Sequence, residues 1–233
     1  MYILERPMTA RAYGWLAAAI GFLLTFVILA ALVRWHYVDG ADHLARSIVV
    51  QPGPSLLRSS MQVASFWGGQ AGQIGVIAVA CAVFWPRRRR WAFSLPLIMA
   101  GTGLLQLVAK WGMNRARPNL DPWGFPSAHV LSLVVLFGCI AYVVGTSRLH
   151  RRCRWLAVGG CALIVCTVAY SRMYLDAHWL SDVLGGFSIG LAYLLAVIWV
   201  QSAVGRPGQG PPATEQAVPT LLPRLGTELM QPR

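Results

Sequence analysis

The sequence predicts an all-α, polytopic integral membrane protein with six transmembrane helices and both termini in the cytoplasm. Three observations carry this. Only 12% of the 233 residues are charged, against 56% hydrophobic, whereas a soluble domain carries about 25% charged residues. The mean hydropathy of +0.54 points the same way. The apolar residues also fall into runs close to the ~20 residues that a helix needs to cross a bilayer. The formal charge of +12 would suit a nucleic-acid partner in a soluble protein. Here the basic residues fall mainly between apolar runs, which suits topology and contact with membrane phospholipids and argues against nucleic acid.

The first span is expected over 13–33, after Arg6 and Arg11. It is too long for the ~7–15-residue apolar stretch of a signal peptide and is followed by further spans, so it reads as an uncleaved helix. Residues 41–50 read as a short amphipathic helix lying on the membrane surface. The second span is expected over 61–85, with Gly68, Gly69, Gly72 and Gly75 allowing close helix packing. Pro86 and the run Arg87 to Arg90 end it. A third span covers 91–108 and leads to Lys110; a fourth covers 127–146. A basic turn with Arg148, Arg151, Arg152 and Arg154 precedes a fifth at 155–170, which extends toward Ser171 and Arg172. The sixth covers 182–203, with Gly185, Gly186 and Gly190 near its start. The membrane domain is thus expected over 1–204, and the Pro- and Gly-rich segment 205–233 reads as a disordered cytoplasmic tail.

Six spans place both termini on one side. That side carries 13 of the 20 Lys and Arg residues, so the positive-inside rule assigns it to the cytoplasm. Loops 34–62, 109–126 and 171–181 then face outward. The five cysteines, Cys81, Cys139, Cys153, Cys161 and Cys166, match no metal or disulfide spacing and read mostly as small apolar residues.

Three outward segments hold residue types that suit one chemistry. In SRMYLDAHWLSD, His178 and Asp182 stand four residues apart, which on a helix puts them on one face. A carboxylate beside an imidazole fixes its tautomer and raises its basicity, although such pairs are also common as structural hydrogen bonds. Arg172 adds a planar fork suited to phosphate oxygens. In KWGMNRARP, Lys110 is the only lysine in the chain and stands seven residues before Arg117, two turns if the helix continues. By itself Lys110 also fits a cation snorkelling to the interface. In GFPSAH, Pro126 suits the first turn of a helix, leaving Ser127, Ala128 and His129 near its N-terminus. Free amides there bind anions, Ser127 can donate a further hydrogen bond, and His129 can protonate a leaving oxygen. His36, His43 and His150 lie in loops and read as surface residues.

These segments resemble, in order and spacing, the three signatures K-x6-RP, PSGH and SR-x5-H-x3-D of the type 2 phosphatidic acid phosphatase family, which also includes vanadium haloperoxidases and glucose-6-phosphatase. The signatures span 110 to 182, and the six-span layout extends the likeness over about 1–203. One departure is Ala128 where the family often has Gly; a small residue still lets a backbone amide reach phosphate. The resemblance implies a membrane lipid phosphatase in which His178 forms a phosphohistidine and Asp182 holds and activates it. His129 would protonate the leaving group and later activate water. Lys110, Arg117, Ser127, Ala128 and Arg172 would hold the phosphoryl oxygens. Pro118, Pro126 and Ser171 would shape the site.

A metal at His129, His178 and Asp182 is the other reading of these groups. Three nearby cations would repel a divalent metal, so no metal and no cofactor is expected. The substrate is expected to be a lipid phosphate reaching the outer face of a bacterial inner membrane. Undecaprenyl diphosphate ranks first, from how common that activity is among bacterial members, then phosphatidic acid, phosphatidylglycerol phosphate and lipid A. Two alternatives stand beside it: a lipid phosphotransferase of the same family, and a non-enzymatic protein that binds or transports lipid phosphates.

Overall fold

The computed structural model describes residues 10–50 and 53–204, and among them every regular element is a helix. In chain order these are α1 (Ala10–Arg34), α2 (Asp39–Val49), α3 (Ser55–Trp67), α4 (Gln70–Phe84), α5 (Arg89–Met113), α6 (Ala128–Gly145), α7 (Arg151–Tyr174) and α8 (Leu180–Val204). Helices α1, α5, α6, α7 and α8 are each long and apolar enough to cross a membrane. The bent pair α3–α4 makes a sixth crossing if taken as one span. The tail expected over 205–233 lies outside the described residues.

Helix α6 forms the centre. Val130, Leu131, Val135, Leu136 and Cys139 along it are fully buried, with α5, α7 and α8 packed around them. The approach of α8 depends on two glycines one turn apart. A Cβ on Gly186 would stand 2.8 Å from the Ser127 carbonyl oxygen, and one on Gly190 would stand 3.1 Å from that of Leu131. Small residues at i and i+4 let two helix backbones close in where lipid supplies no hydrophobic drive for association. Helix α1 packs along α8 from outside, with Phe26 stacked on Phe125 at 5.6 Å between ring centres. Most of its other large side chains are exposed, as expected of a helix that faces lipid.

Pro96 stands inside α5. Its missing N–H would leave the Ala92 carbonyl without its helical partner. The Cys81 thiol of α4 donates to that carbonyl at 3.3 Å, so the freed group is satisfied across a helix contact.

The structure corrects four local expectations. The second span is not one helix over 61–85: it starts at Ser55 and breaks at Gly68–Gly69, where α3 and α4 meet at 57°. The helix stops where Gly69 turns extended (ψ 174°), and the place is crowded. A Cβ on Gly68 would come within 2.5 Å of Val168 and 3.2 Å of the His129 ring, so the chain passes there only without a side chain. Lys110 and Arg117 do not share a helix, because Asn114 takes a left-handed conformation (φ 39°) and its N–H caps the Lys110 carbonyl. Asn tolerates that conformation and ends helices. Pro126 lies outside the first turn of α6, one residue before the N-cap Ser127. His178 precedes α8, so the His178–Asp182 pair spans a helix start instead of lying along a helix face.

Candidate active site

The C-termini of α5 and α7 and the N-termini of α6 and α8 meet at one end of the bundle, and every site residue expected from the sequence is gathered there. Asp182 occupies the third position of α8 and is fully buried. Its Oδ2 accepts from the Trp179 N–H at 3.0 Å, the reach-back of an N-terminal capping box, and lies 3.3 Å from Nδ1 of His178. With Nδ1 committed to the carboxylate, Nε2 is the free nitrogen of His178. The His178 ring is itself buried. Burial holds its pKa below the ordinary histidine value; Asp182 opposes that shift, while Arg172 and Arg117 add to it.

The cations close in from three elements. Lys110 lies in the last turn of α5, and its Nζ donates to the Trp123 carbonyl at 2.9 Å. Arg117 comes from the loop after α5, which folds back through Arg117 N–H to the Asp121 carbonyl at 2.8 Å and Gly124 N–H to the Arg115 carbonyl at 2.7 Å. Arg172 is in the last turn of α7 and donates through Nη1 to the Ser65 hydroxyl of α3. All three act electrostatically on His129, and Arg117 and Arg172 on His178.

Several donors in this cluster have nothing to donate to. The Ser127 hydroxyl is fully buried, and it, Arg117 Nε and Arg172 Nε lack any hydrogen-bond partner. The first-turn amides of α6, at Ala128 and His129, also have no acceptor within their helix. Leaving buried donors unpaired costs about 1–3 kcal/mol each, so the arrangement suits an acceptor-rich anion. The amide of Ser127 is not part of this set, since it donates to the Asp182 carbonyl at 2.9 Å and ties α6 to α8.

His129 stands on the α3–α4 break. Its ring is 3.2 Å from where a Cβ on Gly68 would be and 3.7 Å from that on Gly69. Beside it opens a cavity of about 370 Å³, lined by Gln62, Ser65, Phe66, Gly69, His129 and Leu175. Gln73 of α4 braces the break, donating to the Gly68 carbonyl at 2.6 Å and to Ser132 of α6 at 2.7 Å.

Three residues that sequence reasoning left out also belong to this end. Asp42, expected on a surface helix, is 2% exposed. It accepts from the Ser181 N–H at 2.8 Å, the Ser181 hydroxyl at 2.6 Å and Arg115 Nη2 at 2.7 Å. Arg115 Nη1 in turn donates to Asp182 Oδ1 at 2.9 Å and to the Ser181 hydroxyl at 2.6 Å. The one signal available in sequence was the polar character of α2, which gave no indication of its partner. His36 and His43 are exposed, as expected; His43 packs edge-on against Trp179.

The PAP2 superfamily model matches residues 91–206, a range that contains all the expected site residues. Phosphatidylglycerophosphatase B of Bacillus subtilis (strain 168) is 29% identical over 189 residues, 76% of this chain and 92% of that protein. Lipid phosphate phosphatase delta of Arabidopsis thaliana is 25% identical over 136 residues, 51% of this chain and 32% of that protein. The crystal structure of a transmembrane PAP2 type phosphatidylglycerolphosphate phosphatase from Bacillus subtilis superposes with a TM-score of 0.75 at 25% identity, covering 82% of this chain and 98% of the other.

Proposed function

The chain belongs to the PAP2 superfamily and is a membrane lipid phosphatase, and from that premise we propose that it hydrolyses a lipid phosphomonoester through a phosphohistidine at His178, without a metal. One observation carries the reading. Arg117 Nε, Arg172 Nε and the Ser127 hydroxyl are buried without partners beside an imidazole whose other nitrogen is held by Asp182. That is a socket for an anion with a nucleophile at its edge.

The chemistry follows. The phosphoryl oxygens take hydrogen bonds from Lys110, Arg117, Arg172, Ser127 and the Ala128 and His129 amides. Phosphoryl transfer asks mainly for positioning and for charge on the equatorial oxygens to be met. Nε2 of neutral His178 attacks phosphorus; a P–N bond forms as the P–O bond to the lipid breaks. His129 gives its proton to the departing lipid oxygen. Water then attacks phosphorus, His129 takes a proton from it, the P–N bond breaks and inorganic phosphate leaves. Asp182 keeps the Nδ1 proton of His178 in place and meets the positive charge that develops on the ring.

Among lipid phosphates, phosphatidylglycerol phosphate is favoured. Both the Bacillus subtilis sequence and the Bacillus subtilis structure that align with most of this chain carry that substrate class in their names. Undecaprenyl diphosphate, ranked first from the sequence, stands second, since no residue here selects a diphosphate. The site end is assigned to the periplasmic face of an inner membrane by the excess of Lys and Arg at the other end. The catalytic domain is taken as 1–204.

The test is phosphate release by the purified protein from a panel of lipid phosphates in EDTA, beside His178→Ala. Release from phosphatidylglycerol phosphate that survives EDTA and vanishes in the variant is expected. Release from undecaprenyl diphosphate alone would reverse the substrate ranking. Phosphate moved between lipids with none set free would replace hydrolysis by phosphotransfer. Lipid binding without turnover would leave only the non-enzymatic alternative.

A further inference from the structure

The three phosphate-binding cations create a problem for Asp182. A carboxylate standing behind His178 is drawn toward Lys110, Arg117 and Arg172, and moving to them would fill the phosphate socket and release the imidazole. Something must hold the carboxylate back. Arg115 is placed for this: Nη1 binds Asp182 Oδ1 at 2.9 Å, on the oxygen that His178 does not use. Its other arm, Nη2, is fixed by buried Asp42 at 2.7 Å, which keeps the guanidinium itself out of the socket. Asp42 also seizes Ser181 through two bonds, at 2.8 and 2.6 Å, one residue before Asp182.

We propose that Arg115 and Asp42 are positioning residues for the reaction: Arg115 pins the Asp182 carboxylate against His178, and Asp42, carried by the helix that precedes the second span, locks Arg115 in that pose. This rests on the reading of His178 as the nucleophile. The chain Asp42–Arg115–Asp182–His178 alternates in charge, so its two outer links act on the imidazole with opposite sign. Losing the Arg115 cation leaves Asp182 freer to stabilise the imidazolium. Losing the Asp42 anion lets Arg115 draw more fully on Asp182 and destabilises it.

The groups facing His178 and Asp182 are Arg172 from α7, Arg117 and Arg115 from the loop after α5, Lys110 from α5 and His129 from α6. Around Arg115 and Trp179 stand Asp39, Asp42, His43 and Arg46 of α2, with Asp176 paired to Arg46.

The experiment measures kcat, KM and the pH profile of lipid-phosphate hydrolysis for Arg115→Gln, Arg115→Lys and Asp42→Asn in detergent, beside His178→Ala. Thermal stability and gel-filtration profile are recorded for each. Arg115→Gln is expected to lower kcat about ten- to a hundredfold, as loss of outer-shell partners does, with KM within about threefold. Arg115→Lys recovers little, because one ammonium cannot reach both carboxylates. The acid limb of kcat is expected to move up in pH for Arg115→Gln and down for Asp42→Asn. Limbs that stay in place with kcat unchanged, whatever happens to thermal stability, would make the network purely structural and overturn the proposal. A rise in KM alone would make Arg115 a phosphate ligand and overturn it too. Should Arg115→Gln not fold, the near-isosteric Asp42→Asn decides through the direction of its limb. Turnover retained in His178→Ala would instead sink the nucleophile reading itself.

Discussion

Both ends of the bundle are rich in arginine, and the two ends use it differently. At the end holding Arg87–Arg90 and Arg151–Arg154, the side chains reach outward or onto helix-end carbonyls: Arg88 donates to the Thr146 carbonyl and Arg154 to that of Gly145. Arg89 lies over the exposed Trp85 ring. No acidic residue stands there among the described residues. At the other end Arg115, Arg117 and Arg172 turn inward, and all five described acidic residues, Asp39, Asp42, Asp121, Asp176 and Asp182, occur at that end. The difference teaches that a cluster of cations does not by itself mark a site in a membrane protein. What marks it is burial, carboxylates committed to particular partners, and donors left over once those partners are counted.

Four experiments would break or sharpen that contrast. The largest effect is expected for His178→Ala, with kcat lower by roughly 10⁴-fold or more, as for loss of other catalytic nucleophiles; phosphate release from lipid vesicles measures it. Arg172→Ala and Arg117→Ala come next, each about 10²–10³-fold in kcat/KM, the scale of removing one donor to a developing oxyanion. Gly68→Ala tests the helix break. Its Cβ would meet Val168 at 2.5 Å and His129 at 3.2 Å, so a destabilisation of about 1–3 kcal/mol is expected from overpacking, read by thermal unfolding, together with a several-fold lower kcat. Arg89→Gln, at the opposite end, is expected to leave kcat/KM within about twofold, as exposed cations contribute little to local energetics. A loss equal to that of Arg172→Ala would erase the distinction between the two ends.

The pH dependence follows from His178. Its pKa is held below the ordinary value by burial, so between that lowered value and about 6.5 the unfolded chain binds more protons than the folded one. Stability tied to this residue is therefore complete above about pH 6.5 and declines as pH falls below it. The acid limb of the rate is expected below about 6.5 for the same reason, because the ring then stays neutral at neutral pH, the form that the proposed attack needs. An acid limb above about 7 would mean that His178 is not the group that must be neutral. An alkaline limb that disappears in His129→Ala would assign the proton donor.

Much of the site was legible because it is written in short segments. His178 and Asp182 lie close enough in sequence to pair across any helix start, and Ser127 with His129 mark a helix N-terminus wherever that helix packs. Runs of apolar residues likewise announced the five long spans, since the bilayer sets the length a helix needs to cross it; the sixth expected span is the bent pair α3–α4. The α3–α4 break was not legible. Gly68 and Gly69 read as packing glycines, and only the fold shows Val168 and His129 brought against them from two other helices at a bend. Arg115 and Asp42 were not legible for a related reason. An arginine two residues before Arg117 looks like one more cation, and an aspartate on a short polar helix looks like a solvated face.

The sequence by itself determined the helical membrane class and the short segments that carry the candidate site residues, because hydrophobic length and local spacing are properties of contiguous chain. Only the tertiary structure decided which arginines bind and which brace, since that depends on burial and on carboxylates supplied from far along the chain. The Arg115 guanidinium is held by Asp42 and Asp182, whereas Arg117 and Arg172 each keep a buried Nε without a partner. Charge is a property of the residue, but its availability is a property of the neighbours that folding gives it.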